Sequence, residues 1–191
     1  MTKNSDAVEW TRGDWFQTDS GVRFYPYDPK EEDILIEDIV HALSRICRFG
    51  GHCQDFYSVA QHSCLVSDAC TRALAFEGLM HDASEAYLGD VVRPIKIGLR
   101  EYMEMEKNLE ALIAKRFHLK FPFPPEIKEA DNAALFTERR DLLRVSVPWP
   151  HQGVEWVRRI EPWSVERAER EFWGRFRCLM ADESYQGLEG G

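Results

Sequence analysis

The sequence predicts an all-α domain, and three observations carry that prediction. Apolar residues recur at helical spacing through most of the 191-residue chain. The periodic runs are closed by glycine or proline. No run alternates persuasively enough to read as a strand, and no internal repeat is present. With 44% hydrophobic residues, the chain can bury the core of one ordinary domain.

Each element follows from its local pattern. Residues 1–33 read as an irregular arm, because Gly13, Gly21, Pro26 and Pro29 break any period. Trp10, Trp15, Phe16, Phe24, Tyr25 and Tyr27 cluster there, so the arm is expected to pack on the domain. Residues 34–47 place Ile36, Ile39, Val40, Leu43 and Ile46 on one helix, which ends before Gly50 and Gly51. Ser58-Val59-Ala60-Gln61 has the form of a capping box and starts a helix at Val59 that runs to about Arg72. A third helix is expected over about 73–88, with Gly89 as its terminating residue and Pro94 beyond. Residues 101–119 form a long amphipathic helix. The stiff segment 121–125 connects it to a helix opened by Pro125 and reaching about Val145. Residues 148–153 are a loop and 164–181 a last, charged helix. The end of the chain, 184–191, is expected to fray. The division is an arm at 1–33, a helical domain at 34–182 and a flexible tail at 183–191.

Composition narrows the function classes. A net charge of −9 and a pI of about 5.2 argue against binding a nucleic-acid polymer through its phosphates. A small phosphorylated substrate needs only a few local cations and stays open. No apolar run is long enough to span a bilayer, and Met1 is followed by no apolar signal core. Cys47, Cys53, Cys64, Cys70 and Cys178 include no C-x-x-C and read as reduced thiols. A cytoplasmic protein with no membrane partner is expected.

The segment LMHDASEAYLGD (79–90) sets His81, Asp82, Glu85 and Asp90 in an otherwise core-like helix. Burying that many ionisable groups is costly unless they are paired or bound to a metal. Glu85 is i+4 from His81 and i+3 from Asp82, so it shares their side. His62 lies in the apolar stripe Val59, Val66, Ala69, and Asp131 interrupts another formed by Ile127, Ala134, Leu135 and Leu142. A core histidine, an exposed acidic turn and an ion-paired aspartate are the structural alternatives. A metal held by His62, His81, Asp82 and Asp131 removes the burial penalty for all of them at once.

This H…HD…D set resembles the HD superfamily of metal-dependent phosphohydrolases. RFGGH…YSVAQHS, LMHDASEAYLGDVVRPIK and EADNAALFTERRDL resemble the branch containing bacterial 5′-deoxynucleotidases and phage dATP triphosphohydrolases. The likeness covers about residues 20–145 and implies a compact HD-domain helical bundle. Dinuclear relatives add two histidines between the HD pair and the last Asp, whereas only His118 lies there, which implies one divalent ion. Two imidazoles and two carboxylates suit Zn²⁺, Co²⁺, Mn²⁺ or Fe²⁺.

The resemblance also implies roles. Glu85, already near the metal set by helical geometry, matches the family's general acid/base, and Asp90 positions water or substrate. Arg48 holds phosphate, and Phe49 contacts the sugar or base. Gly50 and Gly51 allow close backbone approach. Lys128, i−3 from Asp131, and Lys96, past Pro94, are further cationic candidates for the β- and γ-phosphates. Arg23 is a weaker candidate to close the pocket. The expected reaction is hydrolysis of dATP to deoxyadenosine and triphosphate, with dADP and dAMP also accepted. Release of phosphate from dNMPs is the alternative, and a non-catalytic nucleotide-binding HD module is the alternative of another class. Relatives are mostly dimers or hexamers, which implies a homo-oligomer. They are bacterial, or phage-encoded and active in the host cytoplasm.

Overall fold

The computed structural model describes residues 12–145 and 147–181; Trp10 and the tail from 182 lie outside these. The chain is mostly helical, as the apolar spacing requires. Its elements are β1 (Phe16–Gln17), β2 (Arg23–Phe24), α1 (Ile36–Arg45), α2 (Val59–Ala69), α3 (Ala75–Met80), α4 (Glu85–Leu88), α5 (Arg93–Lys96), α6 (Arg100–Arg116), α7 (Pro125–Leu142) and α8 (Val165–Met180). Among the described residues, no helix is long and apolar enough to cross a membrane. All five cysteines are free thiols.

The central element is α2. Every residue from Val59 to Ser67 is buried, because α1, α3, α7 and α8 all pack on it. Ile39, Leu43, Val59, Phe76, Leu79, Ile113 and Phe172 belong to the main apolar cluster around it. The Ser58 hydroxyl caps α2 by accepting the Gln61 N–H at 3.2 Å. The Gln61 side chain does not complete the reciprocal box. It donates from Nε2 to the Glu161 carbonyl and accepts the Trp163 N–H at Oε1, both at 2.8 Å. The segment leading into α8 is thereby fastened to α2.

Two local readings are corrected. The continuous helix expected over 73–88 is interrupted between α3 and α4. There the Ala83 N–H bonds to the Met80 carbonyl, and the Glu85 N–H to that of Asp82, each at 3.0 Å. These i→i+3 bonds tighten the backbone at residues 81–84. The arm also holds a strand pair that the sequence reading did not find: Phe16 pairs with Phe24 and Gln17 with Arg23, antiparallel. Its turn is held where the Ser20 N–H and hydroxyl donate to the buried Asp38 carboxylate of α1 at 2.8 and 2.7 Å. Phe24 is fully buried and stacks on Tyr87 of α4 at 4.2 Å between centroids. The arm thus supplies core to the element that carries Glu85.

Candidate metal centre

Three segments bring the candidate ligands together. His62 comes from the middle of α2, His81 from the end of α3 with Asp82 beside it, and Asp131 from the second turn of α7. His62, His81 and Asp131 each offer one atom, all within 4.8 Å of one another. The two Nε2 atoms are 3.3 Å apart, and Asp131 Oδ1 is 3.3 Å from His62 Nε2. Asp82 Oδ2 lies 3.4 Å from His62 Nε2 and 3.2 Å from His81 Nε2. His81 and Asp82 are successive residues, yet Nε2 of one and Oδ2 of the other come within 3.2 Å of each other.

The donor set fits a divalent cation. Nδ1 of His81 donates to the Gly78 carbonyl at 2.9 Å, and Nδ1 of His62 to Glu138 Oε1 at 2.6 Å. With both Nδ1 protons committed, both Nε2 lone pairs face the carboxylates of Asp82 and Asp131. Three acceptors, on His62, His81 and Asp131, converge there with Asp82 beside the two imidazoles, and a cation relieves their mutual repulsion. Without one, protons do so. Burial and Arg48 oppose charge on His62, but Glu138, Asp131 and Asp82 outweigh them and hold its pKa well above the ordinary value. Asp82 and Asp131 are held low: burial raises both, but His81 and His62 outweigh it.

No family model matches the chain. It is 45% identical over 128 residues to the uncharacterized protein YfdR of Escherichia coli (strain K12), covering 67% of this chain and 72% of that protein. The chain belongs to the YfdR family. An uncharacterized protein of Rhodobacter capsulatus is 39% identical over 130 residues, which is 63% of this chain and 66% of that one.

The remaining expected site residues of this YfdR-family chain surround the candidate ligands to different degrees. Glu85 is buried on the first turn of α4, and its Oε2 has no hydrogen-bond partner among the described residues. Burial first, then the charges of Asp82 and Asp90, push its carboxyl well above the usual range. Asp90, past the Gly89 corner, is also raised, by burial first and despite Arg48. Arg48 is buried and spans two carboxylates, at 3.5 Å to Asp82 Oδ2 and 3.2 Å to Glu138 Oε2. Its Nε is buried without a partner among the described residues. Phe49 follows at φ 56°, with Gly50 and Gly51 also left-handed. A phenylalanine held there costs about 1–3 kcal/mol. The Arg48 guanidinium lies 5.8 Å from the Phe49 ring centroid.

Both lysines are engaged with carboxylates. Lys128 is exposed and donates to Asp131 Oδ2 at 2.7 Å, and Lys96 pairs with Glu106 of α6. Arg23 lies over the Trp15 ring. A cleft of about 490 Å³ lined by His52, Cys53, Gln54, Asp55 and Arg144 contains none of the metal-set residues.

Three residues beyond the expected set support the site. Glu138 and Tyr57, both fully buried, back His62. Glu138 is seven residues beyond Asp131 and therefore on the same face of α7, which was the available signal. Tyr102 of α6 donates to the Gly89 carbonyl at 2.9 Å, bracing the corner that precedes Asp90.

Proposed function

We propose that this chain is an HD-type phosphohydrolase that uses one divalent ion, Zn²⁺, Co²⁺, Mn²⁺ or Fe²⁺, to cleave deoxynucleotides. The preferred reaction is dATP plus water to deoxyadenosine and triphosphate. The observation that carries this reading is the convergence of His62, His81 and Asp131, with Asp82 beside them. A bound ion would neutralise phosphoryl oxygens and acidify a water. Glu85 is the general acid/base: burial and the charges of Asp82 and Asp90 favour its protonated form, which can pass a proton to the leaving 5′-oxygen. Asp90 orients the water. Arg48 brings phosphate a guanidinium already shared by Glu138 and Asp82, and Phe49 takes the sugar or base. Lys96 and Lys128 meet the outer phosphates.

The spacing of 19 residues between His62 and His81, the Arg48-Phe49 pair and the two lysines resemble the phage dATP triphosphohydrolases, and that resemblance supports the triphosphate reading. One observation favours the 5′-deoxynucleotidase reading: both lysines are ion-paired, which suits a substrate with a single phosphate. Self-association is supported by Ile95, Ile97, Leu99 and Met103, exposed together along α5 and the start of α6.

The test is a release assay on dATP, dNMPs and ATP with Co²⁺, Mn²⁺ or Zn²⁺, scoring triphosphate against phosphate. Triphosphate from dATP supports the first reading, and phosphate from dNMPs the second. No release from any nucleotide sinks both and leaves a binding module. Equal rates on dATP and ATP count against selection of deoxyribose.

A further inference from the structure

Glu138 is a fully buried carboxylate to which the proposed chemistry gives no task. A charge in that position needs several donors, and three different segments supply them. Tyr57 donates its hydroxyl to Oε1 at 2.8 Å, and His62 donates Nδ1–H to the same oxygen at 2.6 Å. Arg48 bonds Oε2 at 3.2 Å with one terminal nitrogen and reaches Asp82 Oδ2 at 3.5 Å with the other. Glu138 therefore touches one candidate ligand directly and a second through Arg48.

We propose that Glu138 is the positioning residue of the metal centre, locking His62 with Nε2 toward the ion and, through Arg48, restraining Asp82. The inference rests on the metal reading of the site. An imidazole has two nitrogens, and the one that binds an ion is set by what the other donates to. A carboxylate as that acceptor also makes the ligating nitrogen more basic. Tyr57 holds Glu138 at the oxygen that His62 uses, so the carboxylate cannot swing away without stranding a buried hydroxyl. Arg48 is thereby a structural cation of the centre as well as a group available to phosphate.

The test is Co²⁺ titration by calorimetry and visible absorption on wild type, Glu138→Gln and Tyr57→Phe, with the melting temperature of each apo protein. The expected result is a loss of about 10–100-fold in Co²⁺ affinity for Glu138→Gln, with an altered Co²⁺ spectrum. Tyr57→Phe, which keeps the Glu138–His62 pair, is expected to lose under about 3-fold. In parallel, imidazole ¹H–¹⁵N spectra of the wild-type Zn²⁺ form are expected to show His62 protonated at Nδ1. That measurement needs no variant to fold. Wild-type Co²⁺ affinity in a folded Glu138→Gln, or a proton on His62 Nε2 in the Zn²⁺ form, overturns the proposal. A wild type that binds no divalent ion overturns the metal reading itself, which is a separate result.

Discussion

The carbonyl oxygen of Gly78 takes the Nδ1–H of His81 at 2.9 Å, so a backbone position on α3 aims a candidate ligand. The same residue is where α3 lies against the end of α2. A Cβ on Gly78 would meet Cys70 Sγ at 2.9 Å and Ser67 Cα at 3.1 Å. Gly78→Ala is expected to push α3 outward at a cost of about 1–3 kcal/mol, lowering Tm by about 2–4 °C per kcal/mol. Co²⁺ affinity should fall with it, because the acceptor for His81 moves. A thermal melt and a Co²⁺ titration check both; an unchanged melt would show slack in this contact.

His81→Ala and Asp82→Ala are expected to abolish stoichiometric binding of a divalent ion, and nucleotide release with it. Metal analysis after reconstitution measures the first and the release assay the second. Retention of a full equivalent of ion by either variant would remove that residue from the ligand set.

Glu85→Gln separates binding from chemistry. The amide keeps the shape of the side chain but cannot exchange a proton, so turnover is expected to drop about 10²-fold or more while Co²⁺ affinity stays near that of wild type. Steady-state rates on dATP, beside the Co²⁺ isotherm, report the split. A rate close to wild type would end the assignment of Glu85 as acid/base.

Glu110 of α6 gives a pH dependence. Burial first, and then Glu106, push its carboxyl from 4.5 up to about 7. The folded chain holds this proton more tightly than the unfolded chain. Its contribution to stability therefore declines as pH rises from about 4.5 to about 7 and stays low above that. Glu110→Gln, neutral throughout, is expected to raise Tm at pH 8 by about 2–4 °C and to leave it nearly unchanged at pH 5. Identical shifts at both pH values would mean that Glu110 titrates like an exposed glutamate.

The parts of this molecule that could be read from the chain are those where one residue type violates its surroundings. His62 among Val59 and Val66, and Asp131 between Ile127 and Ala134, stand out because a helix period makes the apolar stripe plain. The break at residues 81–84 left no such mark. The exchange of i→i+4 for i→i+3 bonds needs neither glycine nor proline, and Ala83 and Ser84 suit both. The β1–β2 pair is too short for an alternation to show. Glu138 stayed hidden within a run of charged residues, since its role comes from Arg48, Tyr57 and His62, which are remote in sequence.

A single side-chain amide, that of Gln61, clasps the segment leading into α8 at Glu161 and Trp163, and the residue after it is His62. The segment that carries α8 is thus no removable appendage. Clipping the backbone between α7 and α8 would unseat the wall behind the buried imidazole, so protease sensitivity in that stretch and retention of the ion should rise and fall in opposition.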